Sequence, residues 1–447
     1  QGLLCSSTHP ASVIKPKPLR AQPRKMAMLL GLLMVFLSSW TPSALLLRQI
    51  PGEKVQVVQM MRNDPSYPTQ LAGCSQLRVD SSKKANQDQA AREGVIEAIA
   101  EAMNLFPEDK TLCMTCTSSL SSVILFNRDN GLKAGKLGCL NHTLHIYMQN
   151  MGDPDVMGLG GAIGAYFDFV DENRLIAREL GGIQAIIQNI KNNFHGQYSE
   201  WSYNPVKQSL FALSSGCWVN QDICFQEGFP ELAVALMKEH GEEIKIAEET
   251  QQVTKALITK SEVYRQRLVD LGITDSMVHV LQVNPHDRGA LDLTCQNFAW
   301  LVGPDSATGP SSFRTLSFNS TIQSKALESG ALEEVMNVVM SGQEMHHNEH
   351  GDFNFDVDLA YNLDADCFSA LAHLGHENSK TQGAMLKAGL VDTVIAEIQK
   401  PDLVHLIAGG AGCSLLKEMD AVDHTVMLAP APTKVCALWG GLSRLQR

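Results

Sequence analysis

Along most of this chain short amphipathic runs come in pairs split by a glycine, and the same order returns seven times between residues 94 and 389. The glycines are Gly94, Gly138, Gly181, Gly228, Gly272, Gly330 and Gly389, spaced by 44, 43, 47, 44, 58 and 59 residues. Three places after each stands a polar residue: Glu97, Asn141, Gln184, Glu231, Asp275, Glu333 and Asp392. Five, six and nine places after stand apolar triplets such as Ile186, Ile187 and Ile190, Met277, Val278 and Leu281, or Val394, Ile395 and Ile398. Those offsets share one face of a 3.6-residue helix, so each glycine opens a helix. Another short amphipathic run precedes it, as in residues 173–180 and 263–271. A sharp corner between two helices often needs a positive φ, which glycine adopts without steric penalty. A period of this length predicts a helical solenoid over roughly residues 90 to 420.

The stretches 177–187 (ARELGGIQAII) and 326–336 (ALESGALEEVM) resemble the junction between the first and second helices of armadillo repeats. Stretches 208–217 (QSLFALSSGC) and 367–375 (CFSALAHLG) resemble that family's third helix. The resemblance implies an all-α, right-handed solenoid of about seven armadillo-like repeats; HEAT-like or mixed helical repeats are the near alternative. Two insertion loops interrupt the array, around residues 303–312 and 342–358. Stacked repeats of this kind turn their third helices toward one long concave surface.

The same resemblance implies a noncatalytic scaffold or adaptor that presents this groove to a protein or peptide. In the nuclear-import adaptors of the family, tryptophans and asparagines along the groove receive a basic peptide. Matching helices puts Asp168, Ser215, Thr259, His373 and Ser414 near the asparagine places, and Phe211 and Ser369 near two tryptophan places. That ladder is absent here, as is the run of lysine and arginine with which catenin-like members receive acidic partners. The candidate groove is therefore mixed and polar, with Asp168, Phe211, Ser215, Thr259, Trp300, His373 and Ser414 as its candidate residues. Trp218 and Trp300 fall near third-helix ends, where core packing competes with partner anchoring.

Composition narrows the function further. A formal charge of −12 argues against nucleic acid as a partner, because phosphate-backbone binders gain affinity through lysine and arginine. The acidic residues three places after the glycines read as solvated helix caps, favoured by the helix dipole.

The first ninety residues differ in kind. Residues 1–25 are basic and proline-dotted, and Met26 is a candidate start. From Met26 to Trp40 runs an almost unbroken apolar stretch followed by small residues, the order of a secretory signal peptide. Continued to Leu47 it is barely long enough for a retained membrane anchor, and it could also open a two-part organelle address. The expectation is entry into the secretory pathway, with a cytoplasmic location if the segment is not used. On this reading residues 1–47 are a targeting segment, 48–89 a polar, weakly structured lead-in, 90–420 the solenoid and 421–447 a tail.

Several motifs suggest chemistry. His346-His-Asn-Glu-His350 satisfies H-x-x-E-H, in which His346 and His350 would bind zinc and Glu349 act as base. A metal-dependent hydrolase is therefore the alternative function, and His346, His350, Asp352 and Asp356 are a looser metal-contact candidate. The segment lies between repeats and lacks a helical frame, so no metal or cofactor is expected. Glycines at 158–164 and 409–412 look phosphate-friendly but lack the preceding strand a phosphate loop needs, and read as close helix packing. Cys217, Cys295, Cys367 and Cys413 fall in candidate third helices and read as reduced core residues. Cys113 and Cys116 form a lone C-x-x-C, read as helix packing too. The sequons Asn141-His-Thr143 and Asn319-Ser-Thr321 matter only in a secretory lumen, and Asn319, placed in the insertion, reads as the better acceptor.

Overall fold

The computed structural model describes residues 53–195, 204–259, 261–303, 318–341, 363–399, 403–420 and 436. The Met26–Leu47 segment, most of both insertions with the H-x-x-E-H motif, and nearly all of 421–447 lie outside the described residues. Every regular element described is helical, and the seven units are armadillo-type repeats of a first, second and third helix. The first unit is Lys84–Arg92, Val95–Leu105 and Lys110–Ile124, and the fifth is Glu262–Asp270, Ile273–Val283 and Arg288–Val302. The others follow the same plan, ending with Ser379–Lys387, Leu390–Ile398 and Leu403–Asp420.

All seven corner glycines have left-handed φ values, from +75° to +89°. Gly138, Gly181, Gly330 and Gly389 have open space where a Cβ would stand, so it is the backbone angle that selects glycine there. The apolar triplets face inward: Ile186, Ile187 and Ile190 are all buried, as are Met277, Val278 and Leu281.

A polar device at fixed register joins the repeats. Eight places before a corner glycine, Asn130, Asn173 and Asn220 each donate through Nδ2 to a carbonyl of the preceding third helix, Val123, Tyr166 and Gly216, at 2.8–3.0 Å. The same amides donate to Gln87, Gly131 and Arg174 carbonyls, which stand seven places before the preceding glycine. The side chains at that place also seal helix ends. Gln87 donates to the carbonyls of Ser122 and Leu125, and Gln323 to those of His373, Leu374 and His376. The fully buried Arg265 donates to the carbonyls of Trp300, Leu301 and Gly303 at 3.1–3.2 Å. Third-helix carbonyls that would be orphaned at a buried helix end are thereby satisfied.

Two expectations are corrected. Residues 53–89 are not a weakly structured lead-in: helices Glu53–Asn63 and Tyr67–Gln76 cap the array, and Lys84–Arg92 is already the first helix of repeat one. Val58, Met61, Cys74 and Leu77 are buried and supply the apolar face that the surrounding polar residues obscure. Nor are the third-helix cysteines reduced. Disulfides join Cys74 to Cys116, Cys217 to Cys224, Cys295 to Cys367 and Cys413 to Cys436, with Cα separations of 4.9, 6.2, 4.7 and 5.5 Å. Cys113 and Cys139 are free and buried, and burial pushes both thiols up to about 12. They are inert at neutral pH.

Candidate groove along the third helices

The third helices of successive repeats pack directly on one another from Lys110–Ile124 to Leu403–Asp420. Small residues allow the closest approach. A Cβ on Gly160 would lie 2.8 Å from the Gln208 backbone, and one on Gly164 would lie 2.6 Å from the Phe211 ring. Gly412 stands likewise against Ile398, so these glycines serve helix packing.

Two of the sequence-predicted groove residues meet. Ser215 Oγ donates to Asp168 Oδ1 at 2.7 Å, bridging the third helices of repeats two and three. Asp168 is buried and its second oxygen has no hydrogen-bond partner among the described residues. Burial raises its pKa to about 6, against the lowering effects of Ser215 and the Arg174 charge. Phe211 is half-buried beside this pair, packed over Gly164. His373 Nδ1 lies 2.9 Å from the Ala299 carbonyl, and burial drops its pKa to about 4. That ring is neutral at physiological pH. Ser414 is exposed on the last third helix, separate from the Asp168 pair.

Thr259 and Trp300 are fully buried and have no surface to offer a partner in this conformation. Thr259 Oγ1 donates to the Ala256 carbonyl in its own helix. The indole of Trp300 is core. Matching by helix position put them in the groove because a third helix packed on neighbours along both sides exposes only a narrow strip.

The structure adds residues that pattern matching missed. Glu249, on the third helix of repeat four, is raised to about 7 by burial, then by the charges of Glu248 and Asp168, while Lys207 and Lys245 oppose the shift. Asp168, Lys207 and Glu249 thus form one electrostatic neighbourhood across three successive third helices. A second lies further along. Lys255 Nζ donates to Gln296 Oε1, and Gln296 Nε2 donates to Asp366 Oδ2 at 3.0 Å. Asp292, one turn before Gln296 and fully buried, has neither oxygen hydrogen-bonded among the described residues. Burial, then the neighbouring Asp366, raises its pKa well above its ordinary value. Burial lowers Lys255, and the attraction of Asp366 and Asp292 opposes the fall. The available signal was a charged residue inside an otherwise apolar helix, as at Lys255 in 253–258 and Asp292 in 290–295.

The acidic helix caps do more than face water. Glu97 pairs with Lys133 at 2.7 Å and Glu231 with Arg267 at 2.9 Å, each linking a second helix to the next repeat's first. Both are surface pairs, so each contributes about 1 kcal/mol or less. Among the described residues no three histidine, cysteine or acidic side chains converge as metal ligands, and no helix is long and apolar enough to cross a membrane.

The fold has counterparts among solved structures. The crystal structure of an engineered protein aligns with a TM-score of 0.58 at 12% identity, covering 83% of this chain and 81% of that one. A structure described as a phosphorylation switch controlling the interaction between cadherin and beta-catenin aligns with a TM-score of 0.58 at 11% identity, covering 86% of this chain and 67% of that one. A designed armadillo repeat protein aligns over 63% of this chain and 100% of its own, with a TM-score of 0.45 at 12% identity. At such identities the likeness is one of fold, and the fold is an armadillo-like α-solenoid. No protein-family model matches the sequence, and no curated protein is detectably similar.

Proposed function

We propose that this protein is a noncatalytic scaffold whose third-helix surface receives a segment of another protein, and that it works in an oxidising compartment. The observation that carries the binding reading is the stack of seven third helices with Asp168, Lys207 and Glu249 set across three of them. Many weak contacts along such a surface sum to useful affinity. Lys207 and Glu249 are both partly exposed, on the third helices of repeats three and four, so the partner's contribution at this point is a polar or charged group that complements that pair. Beta-catenin, whose interaction with cadherin is the subject of one aligned structure, gives the reading a precedent in fold.

The compartment reading rests on the four disulfides, which persist where thiols are not kept reduced. The apolar Met26–Trp40 segment behind a basic flank supports the same direction as a secretory signal.

The groove reading is tested by charge reversal. Lys207→Glu combined with Glu249→Lys, in the tagged full chain, should abolish recovery of the proteins that co-purify stoichiometrically with the natural sequence. Gln188→Lys, on an exposed part of a second helix, should leave them unchanged. Equal loss from both variants, or from neither, would sink the groove reading.

A further inference from the structure

We infer that Asn319 is an N-glycosylation site, occupied on the folded surface by an oligosaccharide joined through its amide nitrogen. The inference rests on the oxidising-compartment reading above and goes beyond it by assigning the modified atom. Asn319-Ser-Thr321 satisfies the acceptor pattern. Contrary to expectation, Asn319 is not free in the insertion but is the N-cap of helix Ser320–Glu328. Its backbone N–H donates to the Val302 carbonyl at 3.1 Å, which anchors the tripeptide to the end of the preceding third helix.

The cap divides the side chain into two ends with separate uses. Oδ1 accepts from the backbone N–H groups of Thr321 and Ile322, both at 3.1 Å. An N-cap needs only that oxygen. Nδ2 makes no hydrogen bond among the described residues, and it is the atom to which a glycan would be attached. Asn319 itself is half-buried, while Ser320 and Thr321 are exposed, so the acceptor residue's two companions stand on the surface.

The other sequon is built differently. Asn141 is exposed, but Thr143 is fully buried: its hydroxyl donates to the Cys139 carbonyl and lies 2.9 Å from Thr117 Oγ1 and 3.4 Å from Tyr166 Oη. The folded protein therefore hides the hydroxyl of that tripeptide. The Asn319 tripeptide keeps its hydroxyl residue, Thr321, exposed after folding, so this sequon is not withdrawn by the closure of the array as the other is.

The chemistry is a group transfer without oxidation. The amide nitrogen of Asn319 bonds to the anomeric carbon of an oligosaccharide carried on a lipid pyrophosphate. The anomeric carbon–oxygen bond breaks, the nitrogen gives up one proton, and the lipid pyrophosphate leaves. The sugar departs from the start of a first helix, so the stacked third helices stay uncovered.

The test uses the full chain expressed in its own secretory-competent cells, with glycopeptide mass spectrometry and thiol alkylation on the same sample. Natural sequence should carry a glycan on the Asn319 peptide that an amide-cleaving glycosidase removes. Thr321→Ala, which keeps the Asn319 cap and changes an exposed side chain, should bring occupancy to nil, while Asn141→Gln should leave it unchanged. A bare Asn319 with Cys295 and Cys367 still protected from alkylation would overturn the glycan and spare the compartment reading. A bare Asn319 with both cysteines alkylated would overturn the two together. A glycan on Asn141 with Asn319 bare would also refute the assignment.

Discussion

Cys295 and Cys367 lie 72 residues apart in sequence, yet their Cα atoms are 4.7 Å apart, joining the third helices of repeats five and six. The bridge spans both insertions and ties together two helices that also share the Gln296–Asp366 hydrogen bond. Cys217–Cys224 likewise joins repeat three to repeat four, while other neighbouring units hold each other by packing and polar contacts, so a covalent link here is expected to make two repeats unfold as one.

Removing that link should be costly. Cys295→Ala with Cys367→Ala is expected to lower the stability of the array by about 2–5 kcal/mol, as for other bridges that close long loops. Denaturant unfolding of the oxidised chain should show the loss, and reduction of the natural protein, which opens all four bridges, should lower stability further.

The corner glycines should respond to any side chain, even where there is room for one. Gly181→Ala forces an L residue to φ +76° with nothing within 4 Å of the new methyl, so the expected loss is about 1–2 kcal/mol from the backbone alone. Gly160→Ala meets the Gln208 backbone at 2.8 Å and should cost more, because neither helix can yield without moving its neighbour. Thermal melts of the two variants would establish the order.

Arg265 is predicted to be the most demanding of the register-fixed donors. Arg265→Met removes a buried charge that serves the carbonyls of Trp300, Leu301 and Gly303 and pairs with Glu262. A loss of about 3 kcal/mol or more is expected from orphaned buried acceptors. Hydrogen exchange should quicken in helix Arg288–Val302 before it does in repeat one.

Stability should rise on acidification toward pH 5.5. The folded-state values of Asp168, about 6, and Glu249, about 7, lie above the unfolded carboxylate values of about 4. Between pH 4 and 7 the folded state therefore binds more protons than the unfolded one, and stability falls as pH rises through that window. Asp168→Asn and Glu249→Gln copy the protonated forms. Each should flatten the dependence and stabilise the protein at pH 8 by about 1–3 kcal/mol. A melting temperature that climbs between pH 5.5 and 8 would contradict this.

The corners and second helices were legible because Gly181, Ile186, Ile187 and Ile190 advertise a conformation and a face within ten residues. The cysteine pairing was not. A small apolar residue in a third helix packs equally well reduced, and Cys74 and Cys116 meet only after 42 intervening steps of chain have folded. Of the candidate groove residues, Asp168 and Ser215 share a register and meet in a hydrogen bond, while Glu249 and Lys255 sit among apolar neighbours and gain their character from burial. Trp300 misled because the same amphipathic ring suits a core and an interface.

The central claim, that partners engage the third-helix face, is tested most directly by a photo-reactive amino acid placed at Phe211 or at Gln188 in the full chain. Phe211 is half-buried beside Asp168 and Ser215, whereas Gln188 is exposed on a second helix. The account predicts a defined protein adduct from position 211, lost on Lys207→Glu with Glu249→Lys, and none from position 188. An adduct formed at 188 alone, or one at 211 that survives the charge reversal, would contradict it.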